Sequence, residues 1–301
     1  MLPMQASRPY DVAFIGHYTQ DTIVLPHTTS VSPGGGFLFG SYVIAQMGLR
    51  AAVITRLARE DEGVVDDLRR HGIAVMVTLT PETTHERMIY GSDNPDDRAL
   101  FRTGFAGPFT PEEVSALEAR AVIVTASIRG EVPLAVVQAL AEKGSPVTID
   151  LQGYLRVERE GAVVSEMWPE AEQFLRCARV VKADMVEAGL LTGSNDAETA
   201  SRAIAALGPK EVMITSRQGV SVLAEGEFHW APWCAQSMAG RTGRGDTCIA
   251  AYVGKRLSAP AREALIWAAA LTSLKMEKPG PFAEPVSKVE ELILREYSPR
   301  R

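Results

Sequence analysis

Gly240-Arg241-Thr242-Gly243-Arg244-Gly245-Asp246-Thr247-Cys248 is a glycine-rich turn that runs directly into the apolar segment Ile249–Leu257. Glycines let a backbone approach a ligand closely, and the open amides of a first helical turn favour negative charge. The turn reads as an anion cradle with Asp246 at its mouth. A carboxylate beside a phosphate needs a reason, and taking the proton from a hydroxyl that attacks phosphorus supplies one while the amides hold the developing charge. The combination points to a phosphotransferase with an alcohol acceptor. A plain turn in which Asp246 caps the helix uses the same residues, and at this level both readings stand. A dinucleotide fingerprint does not fit, because G-x-G-x-x-G belongs between a first strand and its helix.

Other residues offer partners for such a centre. Pro33-Gly34-Gly35-Gly36 opens a second helical pattern, Phe37–Met47, and is either a flexible loop or a close approach to substrate hydroxyls at Gly34 and Gly35. Asp21 follows the first apolar run and suits bidentate binding of a polyol, or sits as a loop carboxylate in water. Asp150 ends the run Thr148-Ile149-Asp150, with Gln152 and Arg156 just beyond, so it faces a cleft or caps the next segment. Asp184 and Glu187, three apart after Lys182, would share one helical face. They suit a Mg²⁺ held through water, or a capping box in which each satisfies the other's backbone. Thr215-Ser216-Arg217-Gln218-Gly219 is a nucleotide wall or a simple turn. Arg244 is placed to hold a transferring phosphoryl group or to stand in solvent.

Composition narrows the classes. The chain has 301 residues, 46% hydrophobic and 23% charged, with a formal charge of −6. That acidity, without a dense Lys/Arg run, argues against general nucleic-acid binding. Cys177, Cys234 and Cys248 lie far apart and suggest neither zinc nor a disulfide framework. The five histidines lack metal-ligand spacing. Met1–Pro9 has no basic region followed by an apolar core, and no apolar run reaches the roughly 18 residues of a membrane span. No membrane association and a cytoplasmic location are therefore expected.

The elements that must position these residues follow from apolar runs. Tyr10–Gly16, Ala51–Thr55, Ala121–Thr125, Val147–Asp150, Arg179–Lys182 and Glu211–Thr215 are short and rich in β-branched residues, as buried parallel strands are. Helical patterns alternate with them, which implies an α/β fold with a parallel sheet covered on both faces. Tyr18–Pro33 and Val75–Thr103 break the alternation, and Ser92–Asp97 is rich in turn residues. Both stretches read as antiparallel strands of a small β lid over the carboxyl ends of the main sheet. One domain over 1–301 is expected, with core segments 1–17, 34–76 and 104–301 and a lid from 18–33 and 77–103.

Taken in order, these residues resemble the ribokinase-like, or PfkB, carbohydrate kinases over nearly the whole chain. The family's substrate aspartate looks like Asp21, its double glycine like Gly34-Gly35, and its N-x-x-E element like Asp184–Glu187. Its nucleotide strand looks like Thr215–Gly219, and its D-T-x-G-A-G-D signature like Thr242-Gly243-Arg244-Gly245-Asp246. The resemblance implies a three-layer Rossmann-like core with a β lid, ATP and Mg²⁺ as cofactors, Asp246 as the base, and an anion hole from the amides of Gly243, Arg244 and Gly245. ATP would meet Lys182, Thr215, Ser216, Gly219 and Thr242, with adenine between Thr215–Gly219 and Ala264–Ser273. The acceptor would meet Asp21, Gly34, Gly35, Asp150, Gln152 and Arg156. Departures are the signature's leading aspartate, here Gly240, its alanine, here Arg244, and the N-x-x-E asparagine, here Asp184. An aromatic, near Phe39, replaces an asparagine after the double glycine. Gly16-His17, Asp150–Arg156 and Lys275–Phe282 look most like the branch that includes myo-inositol kinases, which implies a sugar or cyclitol acceptor. A nucleoside acceptor stacked on Tyr18, Tyr90 or Phe101, a nucleotide sensor without turnover, and pairing of two copies through the lid are the alternatives and partners carried forward.

Overall fold

The computed structural model describes residues 9–91 and 98–298. The turn expected at Ser92–Asp97 lies outside the described residues. Strands β1 (Tyr10–Ile15), β2 (Thr19–Leu25) and β3 (Thr28–Gly34) lead into helix α1 (Gly36–Gln46), then β4 (Ala51–Ala58), α2 (Gly63–Arg70), β5 (Ala74–Thr80), β6 (Thr84–Tyr90) and β7 (Arg98–Gly104). The middle of the chain gives α3 (Pro111–Val114), β8 (Ala119–Val124), α4 (Leu134–Glu142), β9 (Val147–Asp150), α5 (Gln152–Leu155), β10 (Arg156–Arg159), β11 (Ala162–Ser165) and α6 (Ala171–Leu175). The rest is β12 (Val180–Asp184), α7 (Met185–Thr192), α8 (Ala197–Ala205), β13 (Glu211–Thr215), β14 (Gly219–Ala224), β15 (Glu227–Pro232), α9 (Arg244–Arg256), α10 (Ala261–Met276) and α11 (Val286–Leu292).

Nine strands form the large sheet in the order β15-β14-β13-β12-β9-β8-β1-β4-β5, parallel from β13 to β5. All six expected strands are in it, because their side chains are buried on both faces and need no alternation. One apolar cluster holds α1, α9 and α10 against one face through Phe14, Phe37, Tyr252 and Leu271, and a second packs α4, α7 and α8 on the other through Ile149, Val137 and Ile204. This is the layered α/β core that the alternation of strand and helix implied.

The sequence pattern misplaces some edges. β5 is half-buried along its length and pairs with β4 through Thr80, so the chain stays in the large sheet beyond residue 77. A half-buried edge strand has the same alternation as a lid strand, which is why the two look alike. The β14–β15 hairpin extends the other edge antiparallel. The small sheet has six strands, β10-β11-β7-β6-β2-β3, and recruits β10 and β11 from a stretch expected in the core. Its β2–β6 pairing is parallel; its other pairings are antiparallel, as expected.

Candidate active site

The carboxyl ends of neighbouring strands in the large sheet deliver the polar residues side by side: Thr215 from β13, Lys182 and Asp184 from β12, Asp150 from β9, Thr125 after β8, and His17 after β1. Thr215 stands in register with Asp184, and Lys182 with Asp150. Helix α9 then aims its first turn at this row.

The glycine turn has a defined geometry. The Arg244 amide donates to Arg241 O at 3.2 Å, and Gly243 has φ 76° and ψ 13°. These are the features of a type II turn with Gly243 third, where φ is positive and glycine is favoured. A side chain at Gly243 would also strike the Phe39 ring. The Arg244 amide is therefore engaged inside the turn, leaving Gly243 and Gly245 as the expected hole amides outside that bond. A Cβ at Gly245 would lie 2.9 Å from Lys182 Nζ, so the ammonium lies directly against the turn.

Asp246 is the third residue of α9, and its Oδ1 would lie 2.6 Å from a Cβ at Gly36. Burial pushes its carboxyl up to about 7, the neighbouring Asp150 adds to this, and Lys182 and Arg156 oppose it. Two residues earlier in the same glycine loop, Gly34 packs against the Asp21 carboxylate, which also accepts a 2.7 Å bond from Thr19 Oγ1. Gly34-Gly35-Gly36 thus brings a lid carboxylate and a core carboxylate to opposite ends of one loop. The family resemblance assigns Asp21 and Asp246 to one acceptor, and the fold supplies the backbone that joins them.

Asp150 is buried and pairs with Lys182 Nζ through both oxygens at 3.1 Å, and it accepts the Gln152 amide at 3.1 Å. Glu187 Oε2 is 3.8 Å from the same ammonium. Burial works against the Lys182 charge, but Asp150, Glu187, Asp246 and Asp184 outweigh it and hold the lysine protonated above its ordinary range. Burial also pushes the Glu187 carboxyl up to about 7, against the pull of Lys182. Arg156 is close enough for its charge to act on Asp246.

Asp184 and Glu187 form a capping box. Glu187 N donates to Asp184 Oδ1 at 2.8 Å, and Asp184 N to Glu187 Oε2 at 2.7 Å. With one oxygen of each so used and an ammonium facing Glu187, the pair does not fit as a direct metal cage. Among the described residues no group of three His, Cys, Asp or Glu could hold a metal ion.

The far wall, Thr215–Gly219, is tied to its surroundings by several hydrogen bonds. Ser216 N donates to Gly219 O at 2.8 Å and Gly219 N to Ser216 Oγ at 3.1 Å, closing a tight turn between β13 and β14. Trp233 Nε1 donates to Ser216 O at 3.0 Å, and the next residue, Cys234, donates its amide to Ser273 Oγ of α10 at 2.9 Å. The segment Trp233-Cys234 therefore bridges the two surfaces between which adenine was expected. Arg244 lies over the Trp233 ring at 5.9 Å. Thr215 Oγ1 donates to Ala183 O at 3.4 Å, and Thr242 is exposed. Tyr18, a stacking candidate for a nucleoside, is instead buried in the core cluster beside α1.

Two residues to which sequence reasoning gave no role of their own join the site. Lys275 lies under the glycine turn, and its only local signal is a lysine inside the otherwise uncharged run Ala268–Met276. His17 sits buried between core and lid, with its ring touching Thr84 Oγ1 at 2.7 Å and Gly107 O at 2.8 Å, while its amide donates to Glu131 Oε1 at 2.8 Å. Burial lowers its pKa, so a neutral ring donating from Nε2 to the carbonyl fits these partners.

Comparison with solved structures gives a consistent picture. The chain is similar to a pyrophosphate-dependent kinase in the ribokinase family complexed with a pyrophosphate analog and myo-inositol, at 32% identity and a TM-score of 0.85, covering 93% of this chain and 99% of that one. It is similar to a sulfate complex of a pyrophosphate-dependent kinase in the same family, at 35% identity and a TM-score of 0.86, with the same coverage. Arabidopsis thaliana ribokinase complexed with ribose and ATP shares the fold at 21% identity, with a TM-score of 0.76 over 95% of this chain and 99% of that one. No family model matches the chain, and no curated protein sequence matches it.

Proposed function

The chain belongs to the ribokinase family of phosphotransferases acting on a hydroxyl, and on that premise we propose that it moves a phosphoryl group from a pyrophosphate donor to a cyclitol of the myo-inositol class. The observation that carries the donor is the Trp233-Cys234 bridge, which ties together the two surfaces between which adenine was expected, while the Lys182 ammonium lies against the glycine turn. The similarity to pyrophosphate-dependent kinases supports the same donor over ATP.

In this reading Asp21 and Gly34 hold acceptor hydroxyls, with Asp150, Gln152 and Arg156 on the opposite side. Asp246, poised near neutrality, takes the proton of the reacting hydroxyl. The hydroxyl oxygen forms its bond to phosphorus as the bridging P–O bond breaks. The leaving phosphate carries away the electron pair, and the products are a cyclitol phosphate and inorganic phosphate. Amides of Gly243 and Gly245 stabilise the charge on the phosphoryl oxygens. Lys182, released in part from Asp150, faces the donor. Mg²⁺ fits best as an ion carried on the donor's phosphates, where it neutralises charge, with Asp184 and Glu187 reaching it only through water.

The test is phosphorus NMR of product formed from myo-inositol, ribose or adenosine with pyrophosphate or ATP. Phosphorylated inositol with pyrophosphate as donor is expected. Turnover with ATP alone would replace the donor assignment, and product only from adenosine would replace the acceptor. Pairing of two copies through the lid belongs to the same reading. It rests on Val31, 63% exposed on the edge strand β3, and sedimentation of the purified protein tests it.

A further inference from the structure

Lys275, on the last turn of α10, is buried at 2% exposure, and its Nζ donates to two main-chain carbonyls of the glycine turn, Gly240 O and Thr242 O. The ammonium also lies 5.1 Å from the Phe39 ring centre, the ring against which Gly243 packs. Around it the turn is joined to α10 by Gly240 N, which donates to Met276 O at 2.7 Å. A buried cation directed at two carbonyls is costly to keep unless it does something a methionine could not.

We propose that Lys275 is a positioning residue for phosphoryl transfer: its ammonium fixes the orientation of the Thr242–Gly243 peptide and so aims the Gly243 amide at the transferring group. In a trans peptide the carbonyl and the N–H point in opposite directions. Holding Thr242 O against α10 directs Gly243 N–H away from α10, where an anion must lie to receive it. Turns of type I and type II differ by a flip of this central peptide, and Gly243, at φ 76°, is in the type II state. Among the described residues Lys275 is the one polar group found holding Thr242 O, and without it the flipped peptide would present a carbonyl where the anion hole needs a donor. Phe39 limits the same turn at Gly243. The lysine therefore acts as a built-in cation of ammonium size, holding the catalytic backbone in its working state without touching the substrate.

This inference rests on the kinase reading above, so the experiment has an arm that does not depend on turnover. Wild type, Lys275→Met and Lys275→Ala are compared in kcat, in acceptor KM, and in calorimetric binding of pyrophosphate alone. Lys275→Ala is also assayed with methylammonium chloride, and with tetramethylammonium chloride as the ionic-strength control. The expected result is a kcat lower by about 10²-fold in both variants, the cost of one misplaced hole donor. Acceptor KM should stay within about twofold, since the lysine does not touch the acceptor, and pyrophosphate should bind about tenfold more weakly. Methylammonium should restore Lys275→Ala by about tenfold or more and leave Lys275→Met unchanged, because the methionine fills the space. Wild-type kcat in Lys275→Met overturns the proposal. So does a loss of kcat that methylammonium does not reverse in Lys275→Ala. If the wild type phosphorylates no polyol, the kinase reading fails instead, and unchanged pyrophosphate affinity in the two variants would separately remove the role of Lys275.

Discussion

Asp246→Asn tests the base assignment through stability as well as rate. An unfolded aspartate titrates near 3.8, whereas burial raises this one to about 7. A raised carboxyl pKa means that the folded state resists ionisation. The resulting destabilisation is absent below pH 3.8, grows between 3.8 and 7, and is complete above 7. Asparagine has no charge to lose, so its stability relative to wild type must rise with pH over that window. Each factor of ten in proton affinity corresponds to about 1.4 kcal/mol. Between about pH 5 and pH 7.5 the two titration curves separate by about two such factors, or roughly 2–3 kcal/mol. The Lys182 attraction acts only on the ionised carboxylate and is already contained in that shift, whereas packing contacts that the substitution removes enter at both pH values and largely cancel. For a chain of this length that is a change of about 4 °C in the melting-temperature difference between variant and wild type. Differential scanning fluorimetry at the two pH values reads it, and kcat of the variant should fall by roughly 10²- to 10⁴-fold in parallel. A stability difference that stays flat from about pH 5 to 7.5 would refute the reasoning, because it would mean that the Asp246 carboxylate is comfortable as an anion and titrates far below neutrality.

Three further substitutions probe the backbone around it. Gly36→Ala places a methyl 2.6 Å from Asp246 Oδ1 and 2.8 Å from Thr125 Cβ. Moving the base by about 1 Å should lower kcat by about 10²-fold with little change in donor affinity, and an unchanged kcat would show that Asp246 does not depend on this contact. Gly243→Ala forces a side chain to positive φ and against Phe39. A stability loss of at least about 1–2 kcal/mol in urea unfolding, together with a kcat loss of about 10²-fold, is expected; a fully active, equally stable variant would contradict the turn geometry. Asp184→Ala removes a helix cap, so unfolding free energy should drop by about 1 kcal/mol with kcat within about threefold at saturating Mg²⁺. A large rise in the Mg²⁺ concentration needed for half-maximal rate, or a loss of kcat at saturating Mg²⁺, would instead give Asp184 a direct hold on the metal.

The central strands and the glycine turn are legible because each rests on a local rule: β-branched runs buried on both faces for the strands, and glycine before a helix for the turn. The pair Asp184 and Glu187 shows where local rules stop. Spacing of three serves a capping box and a shared metal face equally, and only the observed bonds from both backbone amides separate them. β5 and the lid strands share one alternation, so their division needed pairing partners that lie elsewhere in the chain. Lys275 was invisible for a related reason. Its function depends on carbonyls 33 and 35 positions away, and backbone carbonyls have no signature in sequence. The bridge across the expected adenine walls was hidden because Trp233 meets Ser216 only after the β14–β15 hairpin folds back.

The glycine loop Gly34-Gly35-Gly36 has a consequence for water. A base poised near neutrality beside an anion cradle is also fit to activate a water molecule, which would discard the donor by hydrolysis. Here the lid strand that carries Asp21 rests on one end of the loop, and Asp246 rests on the other. The loop also passes over the His17 carbonyl, which a Cβ at Gly35 would approach to 2.5 Å, and His17 anchors the lid through Thr84 and Gly107. Acceptor capture and the setting of the base thus share one short backbone. In the proposed reaction a polyol bound across that backbone stands where a water would have to be activated, so the acceptor itself would hold hydrolysis down.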